Sequence, residues 1–294
     1  MKNRFLKLSI LFTCLFFIKT PLIVSANGPT ASEIASSMLS TGLFYTPVLQ
    51  KEASTEEEII NAALMLRPSC VQIRIGNQVG SGSIIKISDE SILILTAKHV
   101  VKNWENEDSH LVIFFDGLIK EGGLVDVSKD RDLAVIKVET DSFLPEDLIR
   151  LRSVPLFNGS SSLEDDSIAS GDPAGENSKA AYDKLKNNSS IVFSLESEVI
   201  PAPLQNQKYN IYGNDTKIAD GYVYGMLQNK DILVTDFGYN MLYAKCSAHE
   251  GMSGGGVFDQ YGNYVALLSG GSDDNEMVAT SLPDIISFLE TIKP

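Results

Sequence analysis

A serine lies among glycines in the stretch Cys246 to Gly256, which reads Cys-Ser-Ala-His-Glu-Gly-Met-Ser-Gly-Gly-Gly. Glycine permits a positive φ and a close approach of the backbone to another group. A serine on such a turn is typical of a nucleophile whose neighbouring backbone N–H groups stabilise an oxyanion. A glycine-rich hairpin that happens to contain a serine is the structural alternative. The stretch therefore makes Ser253 a candidate nucleophile.

A serine nucleophile needs a base, usually histidine, and the base needs a carboxylate that orients it. The histidines of the chain are His99, His110 and His249. The pattern Gly-x-Ser-x-Gly around Ser253 also matches the nucleophile elbow of α/β-hydrolases, in which the histidine follows the serine. No histidine follows Ser253 in this sequence. The subtilisin order Asp, His, Ser would leave little besides Asp89 or Asp116 as the acid. The order His, Asp, Ser remains, and it is the order of the chymotrypsin type.

His99 comes directly after an apolar segment that is predicted to be a strand. A histidine at a strand end can be held over a cleft, although a lone histidine beside apolar residues is often a core side chain. For the acid, Asp126, Asp130 and Asp132 all precede the apolar strand 133–138. Spacing alone does not choose among these three carboxylates.

Short segments with alternating apolar residues surround these positions. Strands are predicted at Cys70 to Ile75, Val79 to Ile85, Ser91 to Thr96, Gly221 to Gly225 and Asp231 to Thr235, with a hairpin from Phe258 to Leu268. Several short strands at close spacing favour a barrel or a sandwich. Polar loops are predicted at 158–162 and 176–190, and a helix with one apolar face is predicted at 282–292.

Residues 1–26 have the pattern of a secretory signal peptide. A basic start is followed by an apolar core from Leu8 to Ile18, which is too short to span a bilayer, and by Val-Ser-Ala at 24–26. Residues 27–66 are predicted to form an arm that ends in a short helix. Export permits a disulfide between Cys70 and Cys246, but two cysteines far apart in the sequence do not establish one.

The chain is acidic, with a formal net charge of −14 at pH 7. Cleavage after residue 26 would remove four basic residues and no acids, which changes the net charge from −14 to −18. Such a surface repels phosphate groups, so nucleic acid and anionic membranes are excluded as expected partners.

Four segments resemble, in order, the signatures of trypsin-like serine proteases, with the closest likeness to bacterial exported ones, including HtrA-type domains. The segments are Gly80-Ser81-Gly82-Ser83, Thr96-Ala97-Lys98-His99, Asp132-Leu133-Ala134-Val135 and Gly251-Met252-Ser253-Gly254-Gly255. The likeness covers roughly residues 66 to 290. Only two residues follow Ile292, which leaves no room in this sequence for the PDZ domain that HtrA proteins append.

The resemblance implies an all-β fold of two six-stranded antiparallel barrels, with the active site between them and a C-terminal helix. It makes Ser253 the nucleophile, His99 the general base and Asp132 the orienting acid. The backbone N–H groups of Gly251 and Ser253 would form the oxyanion hole. The expected function is that of a secreted serine endopeptidase, which acts through an acyl-enzyme. A catalytically inactive homologue that binds peptides or partners is the alternative, and a surface module whose glycine loops are purely structural is a further one.

The resemblance also implies a substrate pocket around the nucleophile. Its expected lining residues carry no charge: Ser247, Ala248, Leu268, Ser269, Gly270 and Gly271. A charged P1 side chain would lose water there without a partner, whereas an apolar one gains roughly 25 cal/mol per Å² that it buries. We therefore expect Val, Ala, Leu or Met at P1.

The expected organisation is a signal peptide at 1–26, an arm at 27–66 and a protease domain at 67–294. Within that domain, the first barrel would span about 67–140, the second about 165–280 and the final helix 282–292. The partner would be a protein or peptide substrate, with no metal, no cofactor, no nucleic acid and no stable membrane insertion after signal cleavage. The oligomeric state is left open, with a monomer favoured. The localisation would be secreted or periplasmic.

Overall fold

The computed structural model describes residues 59, 62–63, 65–154, 156, 174–197, 199–200, 217–218, 221–272 and 274–292. Only the backbone is described at 174–177, 199–200 and 217–218. The predicted signal peptide, most of the predicted arm and the predicted loop at 158–162 lie outside these residues. Residues 59, 62–63 and 65–66 are helical. Among the helices of the described ranges, none has the length and apolar character that crossing a membrane requires.

The first half of the chain forms one antiparallel sheet of seven strands. They are β1 (Cys70–Ile75), β2 (Gln78–Ile87), β3 (Ser91–Thr96), β4 (His110–Phe114), β5 (Ile119–Glu121), β6 (Gly123–Val127) and β7 (Ala134–Glu139). Their order in the sheet is β5-β4-β1-β2-β3-β7-β6. The two outermost strands, β5 and β6, are separated in the chain by one residue, Gly122. They are therefore the two halves of one bent segment, which pairs with β4 on one side and with β7 on the other. This arrangement closes the sheet on itself.

Gly122 makes that bend possible. A Cβ atom on it would lie 2.8 Å from a methyl group of Ile136 and 3.2 Å from one of Val112. No side chain fits between these two core residues, so glycine allows the bent segment to approach the interior of the sheet.

The second half is a closed barrel of six strands. In chain order they are β8 (Ile191–Leu195), β11 (Tyr222–Val234), β12 (Tyr239–Lys245), β13 (Gly256–Asp259), β14 (Tyr264–Ser272) and β15 (Glu276–Ser281). They pair in the order β11-β12-β15-β14-β13-β8. Two short strands, β9 (Val199–Ile200) and β10 (Lys217–Ile218), form a separate ribbon. The predicted all-β architecture of two barrel units is confirmed.

The two units share one apolar core. Phe193, Phe258 and Tyr264 of the second unit belong to the same buried cluster as the strands of the first. Their rings contact one another in sequence, with centroids 5.5 Å apart for Phe193 and Phe258 and 5.4 Å apart for Phe258 and Tyr264. Burial of large aromatic rings at this junction stabilises the packing of the two units. The two units are therefore held together by a chain of aromatic contacts.

Besides the helical residues before β1, the described ranges contain the helices α1 (Pro145–Leu148), α2 (Ala174–Lys184) and α3 (Leu282–Leu289). The helix α3 confirms the predicted C-terminal helix, and its residues Ile285, Phe288 and Leu289 are buried in the shared core.

The prediction of a loop at 176–190 is wrong for the part that α2 covers. The segment is polar, but its Ala, Glu and Lys residues have high helix propensity. Ala181, Tyr182 and Leu185 pack against the core of the second barrel. Ala181 and Tyr182 lie on α2, and Leu185 follows its last residue, four positions after Ala181 and three after Tyr182. The three side chains therefore lie on one side, and this short apolar stripe holds α2 against the barrel.

Candidate active site

The start of strand β2 contacts both the predicted base and the predicted nucleophile. The side-chain amide of Gln78 donates to the carbonyl oxygen of His99 at 2.9 Å. Three residues along β2, the N–H of Ser81 donates to the carbonyl oxygen of Ser253 at 2.7 Å. Between them, a Cβ atom on Gly80 would lie 2.6 Å from the side chain of Val100 and 3.2 Å from the Ser253 oxygen. The lack of a side chain at Gly80 thus lets the two segments approach each other across β2.

His99 lies in a short 3-10 turn, Lys98–Val101, directly after β3. Its ring Nδ1 is 2.9 Å from Oδ2 of Asp132, and its backbone N–H donates to Oδ1 of the same carboxylate at 2.9 Å. The side chain of Asp132 is 8% exposed and that of His99 is 38% exposed. A carboxylate at Nδ1 favours the tautomer that carries its proton there and leaves Nε2 free to accept one. The structure therefore brings together a histidine and a carboxylate with the geometry of a general base and its orienting acid.

The other two aspartates that the sequence left open lie elsewhere. Asp126 is on β6 and accepts a hydrogen bond from the N–H of Val127 at 2.8 Å. The side chain of Asp130 is 79% exposed and pairs with Arg131 at 3.4 Å. The tertiary structure thus brings Asp132 to the histidine.

Two cations hold the loop that carries Asp132. Lys98 Nζ donates to the carbonyl oxygen of Ser128 at 2.8 Å, so the residue before the histidine fixes the start of this loop. Arg131 Nε donates to Asp284 Oδ1 of α3 at 2.8 Å. The guanidinium of Arg131 also lies 4.8 Å from the ring centroid of Tyr239. The acid is therefore anchored to both units of the fold.

Tyr239 of β12 connects the acid to the predicted substrate-binding strand. Its hydroxyl accepts the N–H of Asp132 at 3.2 Å and lies 2.7 Å from Oγ1 of Thr280. Thr280 Oγ1 is in turn 2.9 Å from Oγ of Ser269. Burial raises the pKa of Tyr239, which keeps its hydroxyl protonated and able to donate onward.

Ser253 lies in a turn between β12 and β13 that has two left-handed glycines. Gly251 has φ +88° and Gly254 has φ +89°. A Cβ atom on Gly254 would clash with the Ser81 carbonyl oxygen and with Thr96 Oγ1, and it would lie 2.9 Å from the backbone nitrogen of Ala97. The turn is therefore pressed against the end of β3, two residues before the segment that carries His99.

The N–H groups of Gly251 and Ser253 have no acceptor among the described residues. These two N–H groups, on either side of Met252, are available to donate to another group, and an oxyanion hole needs donors of this kind. Within the same described part of the chain, the Ser253 hydroxyl also has no hydrogen-bond partner. Catalytic hydrogen bonds are often long without substrate and shorten when it binds.

The predicted pocket residues lie on two segments that contact each other. Ser247 and Ala248 follow β12, whereas Gly271 lies on β14. A Cβ atom on Gly271 would be 2.7 Å from the Ala248 carbonyl oxygen and 2.8 Å from the Ala248 Cβ atom. A Cβ atom on Gly270 would meet nothing closer than 3.5 Å, with the ring of Phe237 at 3.7 Å. Gly271 therefore packs directly against Ala248, with no room for a side chain at position 271.

The remaining predicted lining residues contribute differently. Ser247 is exposed and donates to Asn275 Oδ1 at 2.6 Å. Leu268 is buried in the core of the second barrel, and its backbone accepts the N–H of Gly254 at 2.7 Å. Ser269 is buried against Thr280. His249 lies 3.6 Å from Glu196 and contacts neither Asp132 nor His99 among the described interactions.

The disulfide that the sequence permitted is not present. Cys70 and Cys246 are both free thiols, and both are buried. In the described ranges, no three His, Cys, Asp or Glu side chains lie close enough together to hold a metal ion.

Sequence reasoning gave no individual role to Ser81, Ser197 or Tyr239, all of which contact the candidate site, although Ser81 lies within one of the four segments that resemble the family signatures. Ser81 lies between two glycines at the start of β2, and this local sequence could have identified it. Ser197 and Tyr239 have no local pattern, because they reach the site through the pairing of distant strands.

Three comparisons with known proteins extend these observations. A family model described as trypsin-like peptidase domain matches residues 80–267. The search of curated proteins found no match. The chain is similar in fold to the crystal structure of Deg5, with a TM-score of 0.51 and 18% sequence identity. That similarity covers 81% of this chain and 95% of the other.

Proposed function

Because the chain belongs to the trypsin-like peptidase domain family, we propose that it is a serine endopeptidase with Ser253, His99 and Asp132 as its triad. The observation that carries the proposal is the double hydrogen bond from His99 to Asp132, beside the turn of Ser253. A peptide or protein is the substrate, and the chain uses no cofactor.

In the proposed reaction, the Ser253 hydroxyl attacks the carbonyl carbon of a peptide bond while Nε2 of His99 takes its proton. The tetrahedral intermediate collapses, the C–N bond breaks and His99 returns the proton to the leaving amine. This leaves an ester between Ser253 and the acyl half of the substrate. A water molecule then attacks the ester, again with His99 as the base, and releases the carboxylic acid and the free serine.

The negative oxygen of the intermediate would bind between the N–H groups of Gly251 and Ser253. Their lack of acceptors among the described residues supports this role. Preorganised donors of this kind stabilise charge that develops in the transition state, and each is worth about 10²–10³ in kcat.

The close packing of Gly271 against Ala248 supports a preference for small apolar P1 side chains. Such a side chain gains apolar burial without requiring the walls to separate far. Larger members of the expected set, Leu and Met, need more room than the contact between these residues leaves. The preference is therefore for alanine first, and then for valine.

We also assign residues 1–26 to a signal peptide and the site of action to a secreted or periplasmic compartment. The basic start, apolar core and small residues at 24–26 support this assignment. Residues 67–294 would form the protease domain, preceded by the arm at 27–66.

The Ser253 hydroxyl, which has no hydrogen-bond partner among the described residues, is consistent with one alternative, a catalytically inactive homologue that binds peptides. The two functions are separated by a peptide phosphonate with alanine at P1, because it forms a covalent bond only with an activated serine. Labelling of the full chain at Ser253, and hydrolysis of matched peptides, are expected for the enzyme.

The variants Ser253→Ala and His99→Ala should each lower turnover by several orders of magnitude, and the double variant should be little worse, because the two residues act in one step. Two matched controls are Ser142→Ala, an exposed serine of the first unit, and His110→Ala, a histidine that stacks on Trp104. Peptide binding without labelling or hydrolysis would establish the inactive homologue instead.

A further inference from the structure

One residue of β2, Ser81, holds the nucleophile turn at two points. Its N–H donates to the Ser253 carbonyl oxygen at 2.7 Å, and its hydroxyl donates to the Gly251 carbonyl oxygen at 2.6 Å. Its own carbonyl oxygen accepts the hydroxyl of Thr96 at 2.7 Å. Two polar groups of Ser81 thus hold the turn, and the third ties β2 to β3.

The Ser81 hydroxyl is supported by a second hydroxyl, that of Ser197, which follows β8. The two oxygens are hydrogen-bonded to each other. Ser81 has only one hydroxyl proton and gives it to Gly251, so Ser197 must donate to Ser81. Ser81 is 1% exposed and Ser197 is 6% exposed, which shields both hydrogen bonds from competing water.

The two carbonyl groups that Ser81 holds flank the peptide unit that carries the Ser253 N–H. Peptide units are planar, so fixing the units on both sides restricts the rotation of the one between them. On its Cβ side Gly251 has no close neighbour, because a Cβ atom there would meet nothing nearer than Val79 at 4.0 Å; the N–H of the same peptide unit, that of Met252, donates to the His249 carbonyl oxygen at 3.2 Å. The hydroxyl of Ser81 therefore supplies a restraint that the surrounding side chains do not.

We propose that Ser81, with Ser197 behind it, is a positioning residue that sets the direction of the oxyanion-hole donors of this protein. The proposal rests on the proposed peptidase function and extends it to two serines outside the triad. Ser81 does not contact the substrate. It acts through the peptide units between Gly251 and Ser253, and Ser197 acts through Ser81.

Replacement of Ser81 by alanine removes the hydroxyl and keeps the N–H that binds Ser253. Loss of a whole oxyanion donor costs about 10²–10³ in kcat, and a donor that remains but rotates should cost less, about 10–100-fold. KM should change less than twofold, since the ground state does not use the hole. Ser197→Ala should lower kcat by a smaller factor than Ser81→Ala. Because Ser197 acts through Ser81, the kcat of the double variant should lie within about twofold of that of Ser81→Ala.

The test measures kcat and KM of the purified full chain on a peptide anilide with alanine at P1. It also measures inhibition by the matching peptide trifluoromethyl ketone, whose adduct with Ser253 places an oxyanion in the hole. The inhibition constant should rise by the same factor as kcat falls. Ser83→Ala is the matched control, because Ser83 lies two residues along β2, is fully buried, and its hydroxyl makes no hydrogen bond to the turn.

The wild-type protein could be active while folded Ser81→Ala has the same kcat and the same inhibition constant. That result would overturn the role of Ser81 and leave the peptidase function intact. If Ser81→Ala does not fold, Ser197→Ala decides, and an unchanged kcat there overturns the proposal. A wild-type protein that neither cleaves the peptide nor reacts with the phosphonate overturns the peptidase function, and the role of Ser81 with it.

Discussion

The carboxylate of Asp132 holds His99 by its backbone and by its ring at the same time, with both hydrogen bonds 2.9 Å long. One contact fixes the turn that follows β3, and the other fixes the orientation of the imidazole. Because the same carboxylate does both, a displacement of Asp132 moves the backbone and the ring of His99 together.

We predict that Asp132→Asn lowers kcat by about 10⁴-fold. An asparagine amide group facing Nδ1 would donate to it, which forces the ring proton onto Nε2 and removes the acceptor for the serine proton. The matched control is Asp130→Asn, which changes an exposed carboxylate two residues away and should leave kcat within about twofold. Steady-state kinetics on the P1-alanine peptide checks both. Equal losses in the two variants would contradict the assignment of the acid.

We predict that a peptide library is cleaved after alanine in preference to leucine or methionine, and hardly at all after Arg, Lys, Asp or Glu. The contact between Ala248 and Gly271 limits the size of the side chain, and no charge is present among the lining residues to pair with a charged one. Ala248→Gly should widen the space and shift the preference toward valine and leucine. Cleavage dominated by Arg or Lys at P1 would show that the pocket lies elsewhere.

Two glycines of the nucleophile turn should respond differently to substitution by alanine. Both have positive φ, which costs an L-residue roughly 1–2 kcal/mol. A methyl group on Gly254 would also clash with Ser81 and Thr96, whereas one on Gly251 meets no atom closer than 4.0 Å. Gly254→Ala should therefore lower the melting temperature clearly more than Gly251→Ala. Thermal unfolding of the two variants in parallel tests this, and equal shifts would contradict the packing of the turn on β3.

Cys70 and Cys246 should react with a thiol reagent only after unfolding, and without prior reduction. Burial raises the pKa of Cys70 to about 11 and that of Cys246 to about 12, from an ordinary value of 9.0. Alkylation followed by peptide mapping identifies which thiols react. Failure of both thiols to react in the unfolded, unreduced protein would mean that they form a disulfide.

The same thiols predict a loss of stability at alkaline pH. Below pH 9, the thiols are protonated in both the folded and the unfolded protein, so their contribution to the free energy of unfolding is fully present. Above pH 9, the unfolded thiols ionise while the folded ones do not, so each thiol lowers the free energy of unfolding by about 1.4 kcal/mol per pH unit until pH 11 to 12. The difference between the wild type and Cys246→Ala, measured by urea unfolding at pH 8 and pH 10.5, isolates the contribution of one thiol. If the difference in the free energy of unfolding between the two proteins is the same at both pH values, the predicted contribution of the Cys246 thiol is contradicted.

The sequence by itself determined the class of the fold and the order of the candidate residues. Alternating apolar residues are a local property, and they were sufficient to predict seven of the fifteen described strands and the final helix. The absence of a histidine after Ser253 and the scarcity of acids before a histidine favoured the order His, Asp, Ser, and the family resemblance then gave His99, Asp132 and Ser253 their roles. These inferences needed no knowledge of which strands pair.

Only the tertiary structure decided which groups meet. Asp126, Asp130 and Asp132 are equivalent by spacing, and the pairing of β7 with β3 brings the last of them to His99. The helix α2 was missed because its apolar stripe is short and depends on the barrel surface that covers it. Ser81 and Ser197 lie 116 positions apart, so their hydrogen bond exists only once the two units have packed together. Hydrogen bonds require atoms within about 3 Å of each other, and that proximity is set by the packing of distant strands rather than by neighbours in the chain.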